Sequence, residues 1–433
     1  MTRLAIILSA AALAAAAFPA ATASAADPPA VEWAKAYGGS SSDEFVSVAA
    51  TRDGGVVAAG WTDSEDGDVT NYHGGRDAWV AKLDREGNLE WQRTFGGGYE
   101  EGAGYVAQTS DGGYILTGHF NSADGDFGGQ PKGGGVFVAR LDPSGNKSWL
   151  NGFGADGHMR LLGAFENRDG GFLVVGSAQG SSAGPGCGEG VNLLVIRLDA
   201  GGPATDISCP RTGGSGFEPR SASGTGDGGA VFTGLRIDEE RGSAAVSGEI
   251  GPDGAVRWTA EFPEDEGAGR SADAVAALAD GGLAGAGGMS AGGTERGWIF
   301  RLAEGGRTAW EKVLDDVEAS WLAAAAESAG GVFAAGGKAD PEDPEYGDRD
   351  ILAVMTDGRG ERLWTFHYGG SGQETAYSAT SFADGGLALA GSTGSRDGDL
   401  AWRAKDPSGG TPGAEAESDA LIVKLAPPRA AGQ

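Results

Sequence analysis

Cysteine is nearly absent from this chain: Cys187 and Cys209 are the only two among 433 residues. That excludes a cysteine-rich metal site and a disulfide-dense scaffold, and leaves a single disulfide in an exported protein as the natural reading. The two flank the run "VNLLVIRLD", so they fall near the same end of a predicted hairpin. Histidine is scarce as well. His73, His119, His158 and His367 have no metal-ligand spacing and read as exposed or hydrogen-bonded side chains. GxSxG, HExxH and P-loop motifs are missing. Basic residues are few, 32 against 61 acidic ones, for a formal charge of −29. Such a surface repels nucleic acid and anionic lipid, and suits divalent cations, cationic partners or neutral glycans, or simply solubility. No sustained helical period is present, and beyond the N-terminus no apolar run approaches membrane-spanning length.

The first residues stand apart. Arg3, the apolar "LAIILSAAALAAAAF", and small Ala23 and Ala25 form a signal-peptide pattern with cleavage expected after Ala25. Residues 1–25 are thus assigned to a signal peptide and 26–433 to the mature protein, expected in the periplasm or secreted.

Glycine is abundant, 81 residues, while short apolar runs remain plentiful. That combination points to an all-β fold with many tight turns rather than disorder. The tripeptide DGG occurs at Asp53, Asp111, Asp169, Asp227, Asp280 and Asp384, with AGG at Ala329, spaced 49 to 58 residues apart. Seven positions after each stands a glycine: Gly60, Gly118, Gly176, Gly234, Gly287, Gly336 and Gly391. Each unit continues with a strand such as "DAWVAKLD", a turn such as "REGN", and a strand around Trp91, Trp149, Trp258, Trp310 or Trp364.

Seven units of four short antiparallel strands predict a seven-bladed β-propeller forming one domain. DGG is expected to supply positive φ in the first turn. The repeated glycine is expected to let neighbouring blades approach near the axis, and each Trp to wedge the widening gap between blades. The seventh unit ends after "DALIVKLA", without a Trp strand, whereas the mature chain opens with one, "VEWAKAYGG" at 31–39. This segment, with Trp33, is expected to complete blade seven (375–426) and close the ring.

These motifs resemble a roughly sixty-residue repeat of secreted bacterial β-propeller proteins, over nearly the whole mature chain. The resemblance implies the propeller fold and an extracytoplasmic setting, and no catalytic residue.

Loops between strands four and one, and between strands two and three, commonly form a propeller's binding face. Here three units carry a carboxylate ten residues before DGG, Asp43, Glu101 and Glu374. The same units carry DGD in the second loop: Asp66 and Asp68, Asp124 and Asp126, Asp397 and Asp399. Ring closure would gather them in one sector. Two readings stay open: oxygen ligands for Ca²⁺, or Asx-type turns and strand caps. "DSEDGD" at 63–68 resembles a calcium loop, but its Gly falls one position early. In the insertion between Asp399 and Asp419, Trp402 is a candidate contact residue. No organic cofactor is implied. The expected function is that of a monomeric, non-catalytic module binding a protein or glycan through the acidic face. The alternative is a polysaccharide hydrolase or lyase using the top-face carboxylates.

Overall fold

A computed structural model describes residues 27–154, 159–180, 186–212, 216–237, 242–263, 268–292, 294–318, 320–328, 330–339, 349–401 and 418–427. The proposed signal peptide, His158 and Trp402 lie outside these residues. Seven four-stranded antiparallel sheets form the blades of a β-propeller. Blades one to six are consecutive in the chain, from Asp43–Ala50 as the innermost strand of blade one to Arg362–Tyr368 as the outermost of blade six. Blade seven takes Glu374–Ser381, Leu387–Thr393 and Asp419–Leu425, and its outermost strand is Val31–Tyr37. The ring closes as the repeat pattern implied, with Val31 opposite Leu425, Trp33 opposite Lys424 and Tyr37 opposite Ala420.

The turns follow from the DGG chemistry. Only the first glycine has positive φ, as at Gly54 (+85°). The aspartate accepts the N–H of the second, Asp53 Oδ1 from Gly55 at 2.9 Å. The carboxylate thereby holds the turn that glycine makes possible.

The repeated glycine serves a purpose other than the expected one. Each blade's innermost strand carries a one-residue bulge, for example between Phe45 and Ser47. A Cβ on Gly60, Gly118, Gly176, Gly234, Gly287, Gly336 or Gly391 would stand 1.7–2.2 Å from a carbonyl oxygen of that same strand. The missing side chain therefore accommodates the bulged backbone of its own blade, not the approach of the next one.

The outer tryptophans do bridge blades, by a specific contact. Each indole lies over the positive-φ glycine in the strand three–four turn of the following blade. A Cβ on Gly87, Gly145, Gly202, Gly306 or Gly360 would fall 2.5–2.9 Å from a ring atom of Trp33, Trp91, Trp149, Trp258 or Trp310, respectively. Trp33 and Trp310 also donate their ring N–H to carbonyls of that turn, Arg85 (2.9 Å) and Gly358 (3.1 Å). Blade seven lacks such a turn, and Trp364 is instead buried against Phe333. Near the axis, serines following the bulge join inner strands across blades. Ser378 accepts Val48 N–H at 3.1 Å across the closure, as Ser47 accepts Val106 N–H at 3.1 Å between blades one and two. The 7–1 junction is thus built like an internal one. Cys187 and Cys209 form a disulfide that ties the loop before Val191–Leu198 to the segment just after Ala204–Ser208 in blade three.

Candidate functional site at the axial channel

The sequence pointed to nine carboxylates, and the structure places them in three equivalent clasps. Within each, four successive peptide N–H groups of the linker entering a blade donate to four side chains of that blade. For blade one, Gly38 donates to Asp68 (3.2 Å), Gly39 to Asp43 (2.9 Å), Ser40 to Asp66 (2.7 Å) and Ser41 to Ser64 Oγ (3.0 Å). For blade two the acceptors of Gly96, Gly97, Gly98 and Tyr99 are Asp126, Glu101, Asp124 and Ser122. For blade seven those of Gly369, Gly370, Ser371 and Gly372 are Asp399, Glu374, Asp397 and Ser395. The serine, in S-x-D-G-D, was not singled out from sequence. Its spacing before DGD in all three units is the signal that could have found it.

Asp43, Glu101 and Glu374 are completely buried. Asp43 also accepts the hydroxyls of Thr62 and Ser64. Burial pushes its pKa up to about 6, against the opposing pull of these hydrogen bonds. No side chain of this trio lines the central cavity. Among the described residues, no three His, Cys, Asp or Glu side chains are grouped to hold a metal ion.

An axial channel of about 580 Å³ is lined by the innermost strands of all seven blades. The bulge turns one residue per blade into it: Val46, Gly104, Leu162, Arg220, Asp273, Ala323 and Tyr377. Arg220 and Asp273, from adjacent blades, pair at 2.5 Å. Toward the clasp face the lining adds Glu44, Trp61, His119 and Arg160. Arg76 lies 3.6 Å over the Trp61 ring and is fixed by Asp63 at 2.9 and 3.0 Å. Burial raises the pKa of Glu44, opposed by Arg76, and raises that of Tyr377. The channel walls lower that of His119 by desolvating its charged form. None of these channel residues was a sequence-based candidate for the site. The seven bulge residues stand in one column of the repeat, seven positions before each DGG and six before AGG, where the residue type changes from blade to blade.

The sequence matches no family model and no curated protein. Similar solved structures include Sqt1 from Chaetomium thermophilum (12% identity, 90% of this chain and 97% of that one, TM-score 0.45). Others are a protein of unknown function from Dyadobacter fermentans (12%, 92% and 99%, 0.43) and the polysaccharide lyase Uly1 (12%, 90% and 91%, 0.49). None of the three reaches a TM-score of 0.5.

Proposed function

We propose that this is an exported, non-catalytic binding propeller that recognises a glycan at the clasp-face mouth of its axial channel. The observation that supports the reading most is the bulge column. One repeated backbone device presents a different residue from each of the seven blades to one cavity, six of them with side chains, which suits selective recognition more than ring stability. The lining combines aromatic surface (Trp61, Tyr105, Tyr377) with charged hydrogen-bonding groups (Glu44, Arg160, the Arg220–Asp273 pair). Aromatic faces with a few placed polar groups suit a sugar, whose C–H faces stack while its hydroxyls seek bidentate partners. The acidic clasps of blades seven, one and two flank one sector of the mouth as scaffold, because their oxygens hold peptide N–H groups.

A secreted hydrolase or lyase is the second reading, favoured by Glu44 alone, an acid in the channel with its pKa raised by burial. A glycan array combined with a hydrolysis screen separates the two. Binding without turnover, weakened by Arg220→Ala or Tyr377→Ala, is expected. Turnover that disappears in Glu44→Gln would establish an enzyme instead.

A further inference from the structure

On the face opposite the clasps, among the described residues, one blade that has the turn glycine lacks the tryptophan over it. In blades one, two, four and five and in the closing strand, a tryptophan covers the next blade's turn glycine. In blade three the aligned residue is Asp206, opposite Arg197 as Trp91 is opposite Lys82. The glycine that the absent indole would cover, Gly254 of blade four, keeps its positive φ of +84°. Only Val195 and the Arg197 stem approach it, 3.3 and 3.7 Å from where a Cβ would stand. Beside them opens a cleft of about 690 Å³ lined by Asn167, Asp169, Arg197, Thr205 and Pro252.

The cleft retains the fittings of an indole site. Pro252 aligns with Arg85 and Gly358, whose carbonyls accept the ring N–H of Trp33 and Trp310. Arg197 is also released from its usual partner. In blades one, two and five the basic residue of the third strand binds the DGG aspartate at 2.5–2.8 Å. Arg197 instead lies 4.0 Å from Asp206, and its Nε has no hydrogen-bond partner. The Asn167 Oδ1 is likewise buried without a partner. A planar ring with one N–H donor matches this set: the turn glycine Gly254 beside the cleft, the Pro252 carbonyl as acceptor and a guanidinium able to stack.

We infer that the cleft between blades three and four is a socket for a tryptophan side chain of a partner protein, supplying from outside the wedge that blade three lacks. The site is independent of the channel. The test is saturation-transfer NMR and calorimetry with N-acetyltryptophan amide, and with N-acetylphenylalanine amide as the analogue lacking the ring N–H. Saturable binding of the tryptophan probe is expected, at least threefold weaker for the phenylalanine probe. Asp206→Ala should keep that binding within threefold, and Asp206→Trp, which fills the socket from within, should abolish it. If Asp206→Trp does not fold, Asp206→Leu plugs the same space and should also abolish binding. Absence of saturable binding to the wild type, or undiminished binding to a folded plugged variant, would overturn the assignment. Equal affinity for the two probes would overturn it too, because an apolar cleft would then explain the data.

Discussion

A Cβ placed on Gly60 would stand 1.8 Å from the carbonyl oxygen of Glu44. The two residues belong to neighbouring strands of one blade, and the contact exists because the inner strand bulges toward the channel at Val46. Overpacking against backbone has no rotamer escape. Gly60→Ala is therefore expected to destabilise the protein by about 3 kcal/mol. Gly104→Ala is the control, since its Cβ would meet only the Leu161 carbonyl at 3.7 Å. Urea unfolding of the two variants should show a large loss for the first and a change within about 0.5 kcal/mol for the second.

Trp33 should matter as much as an internal wedge. Trp33→Ala removes the indole from Gly87 and its hydrogen bond to Arg85, at an expected cost of about 2 kcal/mol for a half-buried ring. Trp33→Phe keeps most of the packing and should cost about 1 kcal/mol. Thermal melts read both. An unchanged midpoint for Trp33→Ala would mean the closing strand does not hold the ring in solution.

Asp43 should reveal itself through pH. Its folded-state pKa, about 6, lies above the ordinary 3.8, so the native state holds the proton more tightly than the unfolded chain does. The associated stability is complete below pH 3.8 and is lost as pH rises through 6. The loss is on the order of 3 kcal/mol at 1.36 kcal/mol per pH unit. In Asp43→Asn this component is absent. The difference in unfolding free energy between variant and wild type should therefore change across pH 4–6 and level off above. A difference independent of pH would show that Asp43 is not held above its ordinary value.

Calcium is expected to leave the melting curve where it is. The clasp carboxylates already accept peptide N–H groups of the linkers, and a cation would have to take oxygens from those bonds. Adding EDTA or millimolar Ca²⁺ should shift the midpoint by less than about 1 °C, a change worth only tenths of a kcal/mol. Asp124→Ala, by contrast, strands the Gly98 N–H and should cost about 1 kcal/mol whether or not calcium is present. A rise of several degrees with Ca²⁺, lost in Asp124→Ala, would assign the clasp to the ion.

The architecture was legible because its signals are local and repeated. DGG fixes each first turn, and "VEWAKAYGG" with its Trp33 could belong only to a unit lacking a fourth strand. The candidate site was less so. Asp43, Asp66 and Asp68 were visible as acids gathered by closure. Nothing in a side-chain pattern reveals that their partners are the peptide N–H groups of Gly39, Ser40 and Gly38. The repeated glycine was found but misattributed, since a bulge is a displacement of backbone by one residue and leaves no residue type of its own. For the same reason Arg220, Asp273 and Tyr377 escaped notice. They share a position in the repeat and nothing else.

The pairing of Val31–Tyr37 with Asp419–Leu425 also sets a clock. These two strands lie about 390 residues apart in the chain. At ribosomal rates of 5–20 residues per second, one waits for the other on the order of 20–80 s. Six blades can form from contiguous chain in that interval, but Val31–Tyr37 has no hydrogen-bonding partner until synthesis reaches Leu425. A chain that folds vectorially is an open arc with a bare strand at its head until that point, and its vulnerability to misassembly is concentrated there.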